Sequence, residues 1–305
     1  MHNQADVLMT EKSRTIRLAL TDGTQFLSAV GIENARLDAE VLLGQVLDIE
    51  KAEIYLNFDS VLNIENERRF RELLRRRAKR EPIAYITGRK EFWSLDFAVT
   101  PDVLIPRPET ELLVELVLQR ATMTSRESPL KILDIGTGSG AIAVSLAKEL
   151  PQAEIWAVDV SAAALNIAGI NSRQYGVASR IQFLQGDVFG PVSGLGLIFD
   201  VIVSNPPYVR SRELSDLAPE IRHWEPTTAL DGGPDGLDTC RKIIDRADKY
   251  LAPKGYLLLE IGDDIREAVA ELFARAGIYQ TTSIYQDYAG KNRVIAAVKT
   301  GRVKA

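Results

Sequence analysis

The spacing of apolar residues changes character part-way along the chain. From 13 to about 81 they recur at three- and four-residue intervals with polar faces between, which is helical spacing. Ile16, Leu20, Phe26, Leu27 and Val30 mark one amphipathic helix. Leu37, Val41, Leu42, Val46 and Leu47 form the apolar stripe of a stronger one. The segment 51–56 reads as a short helix, and 64–80 as another with Phe70, Leu73 and Leu74 facing in. Glu81-Pro82 ends the run, because a residue before proline is driven out of helical backbone. Next, 85–100 alternates and reads as a hairpin, with Val103-Leu104-Ile105 as a further short strand. Pro106-Arg107-Pro108-Glu109-Thr110-Glu111 then opens a helix that carries Leu112, Leu113, Leu116 and Val117. Proline and acidic residues in a first turn are ordinary helix-start chemistry.

From Lys131 the period switches to alternating strand and helix. Strands at 132–135, 154–160, 180–185, 199–204 and 256–261 are interleaved with helices at 141–150, 162–175, 236–251 and 266–276. This alternation predicts a mostly parallel sheet covered on both faces. Strands at 281–285 and 293–299 lie too close together for a helical crossover and should pair antiparallel. The fold class is therefore α/β, with a small all-helical N-terminal domain at 13–82, a β-hairpin linker at 83–105 and a sheet domain at 106–305. Residues 1–12 are expected to be a disordered tail.

Composition narrows the chemistry. A net charge of −5 over 305 residues and a pI near 5.4 argue against non-specific coating of nucleic acid. The single cysteine, Cys240, allows no intrachain disulfide and fits a reducing cytosol. With only His2 and His223, no metal site is expected. No apolar run reaches membrane-spanning length, and the N-terminal stretch with Asp6 and Glu11 lacks the apolar core of a targeting signal. The dense run Arg68, Arg69, Arg71, Arg75, Arg76, Arg77, Lys79 and Arg80 reads either as a solvated helix face or as a surface for an acidic or RNA-bound partner.

The strand at 199–204 stops on Asn205-Pro206-Pro207-Tyr208. Neither proline nitrogen carries a hydrogen, so the ladder ends there and the tetrapeptide sits at the strand's C-terminal tip, where ligands of open α/β sheets bind. The Asn205 side-chain carbonyl and the Pro206 main-chain carbonyl are two nearby acceptors, a match for an NH2 group with two hydrogens to give. Tyr208 adds a flat face for a planar group. Arg107, held between two prolines, is placed to reach a nearby pocket.

Asp134-Ile135-Gly136-Thr137-Gly138-Ser139-Gly140 joins the first sheet strand to its helix, and its glycines allow a tight turn and close ligand approach. Asp159 ends the second strand, where a carboxylate accepts from ribose hydroxyls. Asp187 ends the third, where it could accept from an adenine amino group, with Val188 beside it. Together these describe an adenosine-containing ligand. Gly136, Gly138 and Ala141 also fit a dinucleotide-binding fingerprint, so an NAD-type dehydrogenase is an alternative. Asp134 weighs against it, since a carboxylate there suits a cationic sulfonium better than a pyrophosphate. Asn-Pro-Pro-Tyr also serves no dehydrogenase chemistry.

These motifs resemble the Rossmann-like, S-adenosyl-L-methionine-dependent methyltransferases that modify planar nitrogens, and most closely the peptide chain release factor N(5)-glutamine methyltransferases. The resemblance spans the chain from about Leu37. It includes Arg80-Glu-Pro-Ile-Ala-Tyr-Ile-Thr-Gly88, Leu104-Ile-Pro-Arg-Pro-Glu-Thr-Glu111, Glu225-Pro226, Gly232-Gly233-Pro-Asp-Gly-Leu237, Glu260-Ile-Gly262 and Asp287-Tyr-Ala-Gly-Lys-Asn-Arg-Val294. It implies a seven-stranded catalytic domain and a helical domain that helps hold the substrate. The implied partners are class 1 release factors, methylated on the glutamine of a Gly-Gly-Gln loop. The enzyme is expected to be a cytoplasmic monomer that touches neither membrane nor nucleic acid directly. Asn205, Pro206, Pro207 and Tyr208 would be catalytic and, with Arg107, substrate-binding. Asp134, Gly136, Thr137, Gly138, Ser139, Gly140, Asp159, Asp187, Val188 and Asn205 would hold the cofactor.

Two departures stand out. Val188 replaces a tryptophan that often stacks on adenine in the family, and Asp263-Asp264-Ile265 replaces a stretch that often begins with glutamine. The alternatives are a DNA or RNA adenine methyltransferase gripping an exocyclic amine, a ribosomal-protein glutamine methyltransferase, which shares Asn-Pro-Pro-Tyr, and a non-catalytic scaffold of the translation machinery.

Overall fold

The structure, a computed structural model, describes residues 14–122 and 128–300. The expected tail at 1–12 lies outside the described residues. The chain divides into two compact units, with the boundary between Thr87 and Gly88.

The first unit contains a minimal antiparallel pair, β1 (Arg14–Thr15) with β2 (Val61–Leu62), and helices α1 (Ile16–Ala29), α2 (Ala35–Leu47), α3 (Lys51–Leu56), α4 (Ile64–Ala78) and α5 (Ile83–Thr87). Leu20, Leu27, Leu42, Leu43, Ile54, Phe70 and Leu74 form its core. Two expected core positions, Leu37 and Val41, are exposed at 48% and 38%. Helix α2 instead buries the stripe Ala39, Leu42, Leu43 and Val46, together with the acids Asp38 and Glu40. Those acids are partnered: Asp38 accepts from Arg77, and Glu40 from Arg36 and Tyr55 with Lys51 close by. Burial pushes the Glu40 carboxyl upward, but Lys51, Tyr55 and Arg36 together hold it down at about 2. The basic run of α4 is largely occupied within the same unit. Arg68 pairs with Glu65 and Glu72, Arg71 with Glu67, and Arg76 with Glu81.

The second unit begins with the hairpin β3 (Arg89–Phe92) and β4 (Leu95–Ala98), so the expected hairpin starts four residues later than the alternation at 85 suggested. Residues 83–87 are helix α5 instead. After α6 (Glu111–Thr122) come β5 (Lys131–Ile135), α7 (Ala141–Glu149), β6 (Glu154–Asp159), α8 (Ala162–Gln174), β7 (Ile181–Gln185), β8 (Phe199–Ser204), α9 (Pro219–Trp224), α10 (Asp238–Arg246), β9 (Leu251–Glu260), α11 (Arg266–Ala276), β10 (Tyr279–Gln286) and β11 (Asn292–Lys299). The seven strands run in the order β10-β11-β9-β8-β5-β6-β7. β5 to β9 are parallel, and β11 enters antiparallel between β9 and β10. Separate apolar cores cover the two faces, one built on α6 and α7 and one on α10 and α11. Val103-Leu104-Ile105 is not a strand. The amide of Ile105 donates to the Glu225 carboxylate at 3.2 Å, and Pro106 denies the next ladder bond.

The topology fixes where a site must lie. The chain enters the sheet at β5, steps outward to β6 and β7, then returns to β8 on the other side. The crevice between the C-terminal ends of β5 and β8 is therefore the switch point at which open α/β sheets bind ligands. Ser204 Oγ donates to the Ile135 carbonyl at 2.7 Å and ties the two tips together.

Candidate active site

A cavity of about 250 Å³ opens at this switch point. Gly136, Thr137, Gly138 and Ser139 from the loop after β5 line it, with Asp159 after β6, Asp187 and Val188 after β7, and Asn205 and Pro207 after β8. Arg107 lines it from the segment before α6. Residues separated by up to a third of the chain thus meet around one space, as the strand tips dictate.

The glycine loop is shaped for a close ligand. A Cβ at Gly136 would come no nearer than 3.9 Å to the Asn205 carbonyl oxygen and one at Gly138 would meet nothing within 4 Å, whereas Gly140, expected to hold the cofactor, has φ +80°, packs tightly on Ala168 and does not line the cavity. Asp159 receives the Gly138 amide on Oδ2 and the Ser161 amide on Oδ1, both at 2.9 Å. Burial raises its pKa, against those backbone hydrogen bonds. Each carboxylate oxygen keeps a further lone pair for a hydroxyl. Asp134 lies behind the loop rather than on the cavity wall. It is fully buried, and its Oδ2 accepts from Thr137 Oγ1 at 2.7 Å. Burial pushes its carboxyl up to about 7. Asn171, also fully buried, donates to the Ser139 carbonyl at 2.8 Å and exchanges two hydrogen bonds with the main chain of Ala98, so it joins loop and hairpin.

Asp187 is half exposed and accepts from Lys242 Nζ at 2.9 Å. Val188 is buried with φ +50°, a left-handed conformation that a β-branched side chain resists. Arg107 is on the wall but tied down: its guanidinium pairs with Glu225, whose side chain is 1% exposed.

At the tip of β8 the extended backbone alternates its side chains. Asn205 and Pro207 line the cavity; Pro206 is buried away from it, and Tyr208 packs on the apolar core beside α10 and α11. Burial pushes the Tyr208 phenol up to about 12, with the Glu260 charge adding to it, so the hydroxyl stays neutral. A loop of 230–238 buttresses this backbone. Val209 N–H donates to the Leu230 carbonyl and Gly232 N–H to the Val209 carbonyl, at 3.0 and 2.8 Å. Gly236 has φ +80°, and a Cβ there would fall 2.6 Å from the Tyr208 carbonyl oxygen. From Asn205 a polar chain runs inward through Thr110, which also lines the cavity: Asn205 Nδ2 donates to Thr110 Oγ1 at 3.1 Å, and Thr110 Oγ1 donates to Glu260 Oε2 at 2.6 Å. Burial pushes the Glu260 carboxyl up to about 7, against the Thr110 hydrogen bond. Thr110, Glu260, Glu225 and Asn171 were not singled out as site residues from sequence. The available signal was an acid closing the apolar run Leu257-Leu258-Leu259-Glu260.

Comparison with known proteins decides the family. Residues 19–88 match the family model described as PrmC N-terminal domain, and residues 109–221 match the methyltransferase small domain. The chain is 45% identical over 289 residues to a release factor glutamine methyltransferase of Geobacter sulfurreducens, covering 94% of this chain and 98% of that one. It is 44% identical to one of Moorella thermoacetica, covering 93% and 99%. The chain belongs to the release factor glutamine methyltransferase family. A solved structure of the hMettl16 catalytic domain superposes with a TM-score of 0.56 at 18% identity, covering 74% of this chain and 82% of that one, which is agreement in fold.

As a member of this methyltransferase family, the chain uses S-adenosyl-L-methionine as its cofactor. The residues present fit it: a loop whose Gly136 and Gly138 leave room at the wall, an acid with spare lone pairs at the second strand tip, and an open cavity between them. Among the described residues, no helix is long and apolar enough to cross a membrane, and no cluster of side chains could hold a metal ion.

Proposed function

We propose that this chain methylates the side-chain amide nitrogen of a glutamine in the Gly-Gly-Gln loop of class 1 release factors. The observation that carries the reading is that the glycine loop and Asn205 share one cavity wall. A nucleotide-type ligand and a grip for a planar NH2 group thereby meet at one point. Near-full-length similarity to enzymes named for this substrate supports it. In the same reading the enzyme works as a cytoplasmic monomer and contacts no nucleic acid directly, in keeping with its net charge of −5.

An amide nitrogen is a poor nucleophile because its lone pair is delocalised into the carbonyl. Bound S-adenosyl-L-methionine supplies an electrophilic methyl group. Asn205 Oδ1 and the Pro206 carbonyl accept the two amide hydrogens, favour a pyramidal nitrogen and turn its lone pair toward the cofactor. Pro206 and Pro207 hold these acceptors still, since their rings fix φ. Tyr208, expected to stack on the amide, instead anchors the motif from the apolar core and does not line the cavity. Asp159 holds the ribose, and Gly136 and Gly138 let the main chain approach the cofactor. No strong base is required, because the nitrogen becomes acidic only after transfer. The acceleration is chiefly positioning and a site matched to the transition state.

The test offers labelled methyl donor with a release factor, the same factor with its loop glutamine changed to alanine, and duplex DNA. Label on the intact factor alone is expected. Label on DNA would shift the assignment to an adenine methyltransferase, and label on the alanine form would move the methylated atom elsewhere.

A further inference from the structure

The polar chain behind Asn205 has a direction, and that direction has a chemical consequence. Glu260 is 1% exposed and Thr110 5% exposed, so neither turns to solvent for a partner. An ionised carboxylate only accepts. The one hydroxyl hydrogen of Thr110 is therefore committed to Glu260, at 2.6 Å. The Thr110 oxygen is left with lone pairs alone on the side facing Asn205. Only the NH2 end of the Asn205 amide satisfies them, at 3.1 Å. The opposite end, the carbonyl oxygen, must then face away from Thr110.

We infer that Thr110 and Glu260 are positioning residues that fix the Asn205 amide in one of its two orientations, so that its carbonyl oxygen meets the substrate NH2. This deepens the glutamine-methyltransferase reading and rests on it. An unfixed Asn205 would spend part of its time with NH2 facing NH2, donor against donor. A methyl group in place of the hydroxyl removes the directing acceptor without changing shape. A protonated Glu260 has the same effect by another route, since it donates to Thr110 and frees the threonine hydrogen to point at Asn205. The charged and titratable groups around Glu260 are Arg107 and Glu109 from the segment holding Thr110, Tyr208 from the tip of β8, and Arg293 from β11. Arg107 and Arg293 are paired with Glu225 and Asp287, and Tyr208 stays neutral. Thr110 and Glu260 stand 150 residues apart in the chain, and their pairing gives the Pro106-Arg-Pro-Glu-Thr-Glu111 segment a task beyond starting a helix.

The experiment compares wild type, Thr110→Val and Thr110→Ser, measuring kcat, KM for the release factor, cofactor affinity by calorimetry and the pH profile of kcat at saturating substrates. Thr110→Val should lose about tenfold to a hundredfold in kcat. Its cofactor affinity should stay within about threefold of wild type, and Thr110→Ser should restore most of the rate. Wild-type kcat should fall as pH drops through about 7, and Thr110→Val should lack that limb. A Thr110→Val enzyme as fast as wild type, a Thr110→Ser enzyme as slow as Thr110→Val, or an acid limb unchanged in Thr110→Val would each overturn the inference. If Thr110→Val does not yield folded protein, Thr110→Ala against Thr110→Ser carries the same comparison. Absence of any wild-type transfer to the release factor would instead overturn the underlying functional reading.

Discussion

At the scale of single residues, the proposed reaction turns on Asn205, whose NH2 end donates to Thr110 and whose carbonyl end is assigned to the substrate. Asn205→Ala is expected to lower kcat by at least about a hundredfold, because the acceptor that strengthens in the transition state is gone. Cofactor affinity should change little; calorimetry beside a turnover assay separates the two. A rate near wild type would sink the proposed role. This residue was legible in sequence because a strand that halts on two prolines advertises its tip. The glycine loop and Asp159 were legible for a similar reason, as both follow a strand at fixed spacing. Thr110 and Glu260 were not, because they stand 150 residues apart and only the folded sheet brings them together. Arg107 illustrates the opposite limit. Its rigid setting was readable, but its partner Glu225, 118 residues on, was not.

At the scale of elements, the site is held by polar side chains and main chain that bridge neighbouring segments. Asn171 of α8 satisfies both main-chain groups of Ala98 and the Ser139 carbonyl. Asn171→Ala strands these buried groups, so a loss of about 3 kcal/mol is expected. Thermal unfolding and cofactor titration would register it; an unchanged Tm would refute it. Gly236→Ala adds a methyl group against the Tyr208 carbonyl in a left-handed backbone, a conformation that costs on the order of 1–3 kcal/mol for a non-glycine residue. The Pro-Pro-Tyr backbone must shift to relieve the contact. Turnover should fall roughly tenfold or more with cofactor binding retained, and equal losses in both would point to general unfolding. The order and type of the sheet elements were readable from their periods. Val103-Leu104-Ile105 was misread because its apolar residues anchor a connector whose amide serves a side-chain carboxylate. The outward-facing Leu37 and Val41 were misplaced because the α2 stripe that packs also carries two acids, which a hydropathy pattern counts as surface.

For the whole molecule, two acids that burial pushes upward give stability a pH dependence. Asp134 and Glu260 have ordinary values of 3.8 and 4.5, and burial pushes each up to about 7. The folded state then holds these protons more tightly than the unfolded chain does. Their contribution to stability is fully present below the unfolded values and is lost as pH rises through about 7. Carboxylates held low, such as Glu40 at about 2, do not titrate in that window. The Tm of the ligand-free protein should therefore decline between about pH 5 and pH 8, and Asp134→Asn or Glu260→Gln should each flatten the decline. A Tm that rises over that interval would contradict the assignment.

The bed beneath Pro207 and Tyr208 consists of main chain: the Val209–Asp231 bridge, the Gly232 amide and the bare Cα of Gly236. Main-chain hydrogen bonds are indifferent to which side chains flank them. Side-chain replacements in the intervening segment 211–229, away from the cavity, from Ser211 and from Glu225, should therefore leave that bed in place. The surface this segment presents and the support of Asn205 to Tyr208 are thus separable within one continuous stretch of chain.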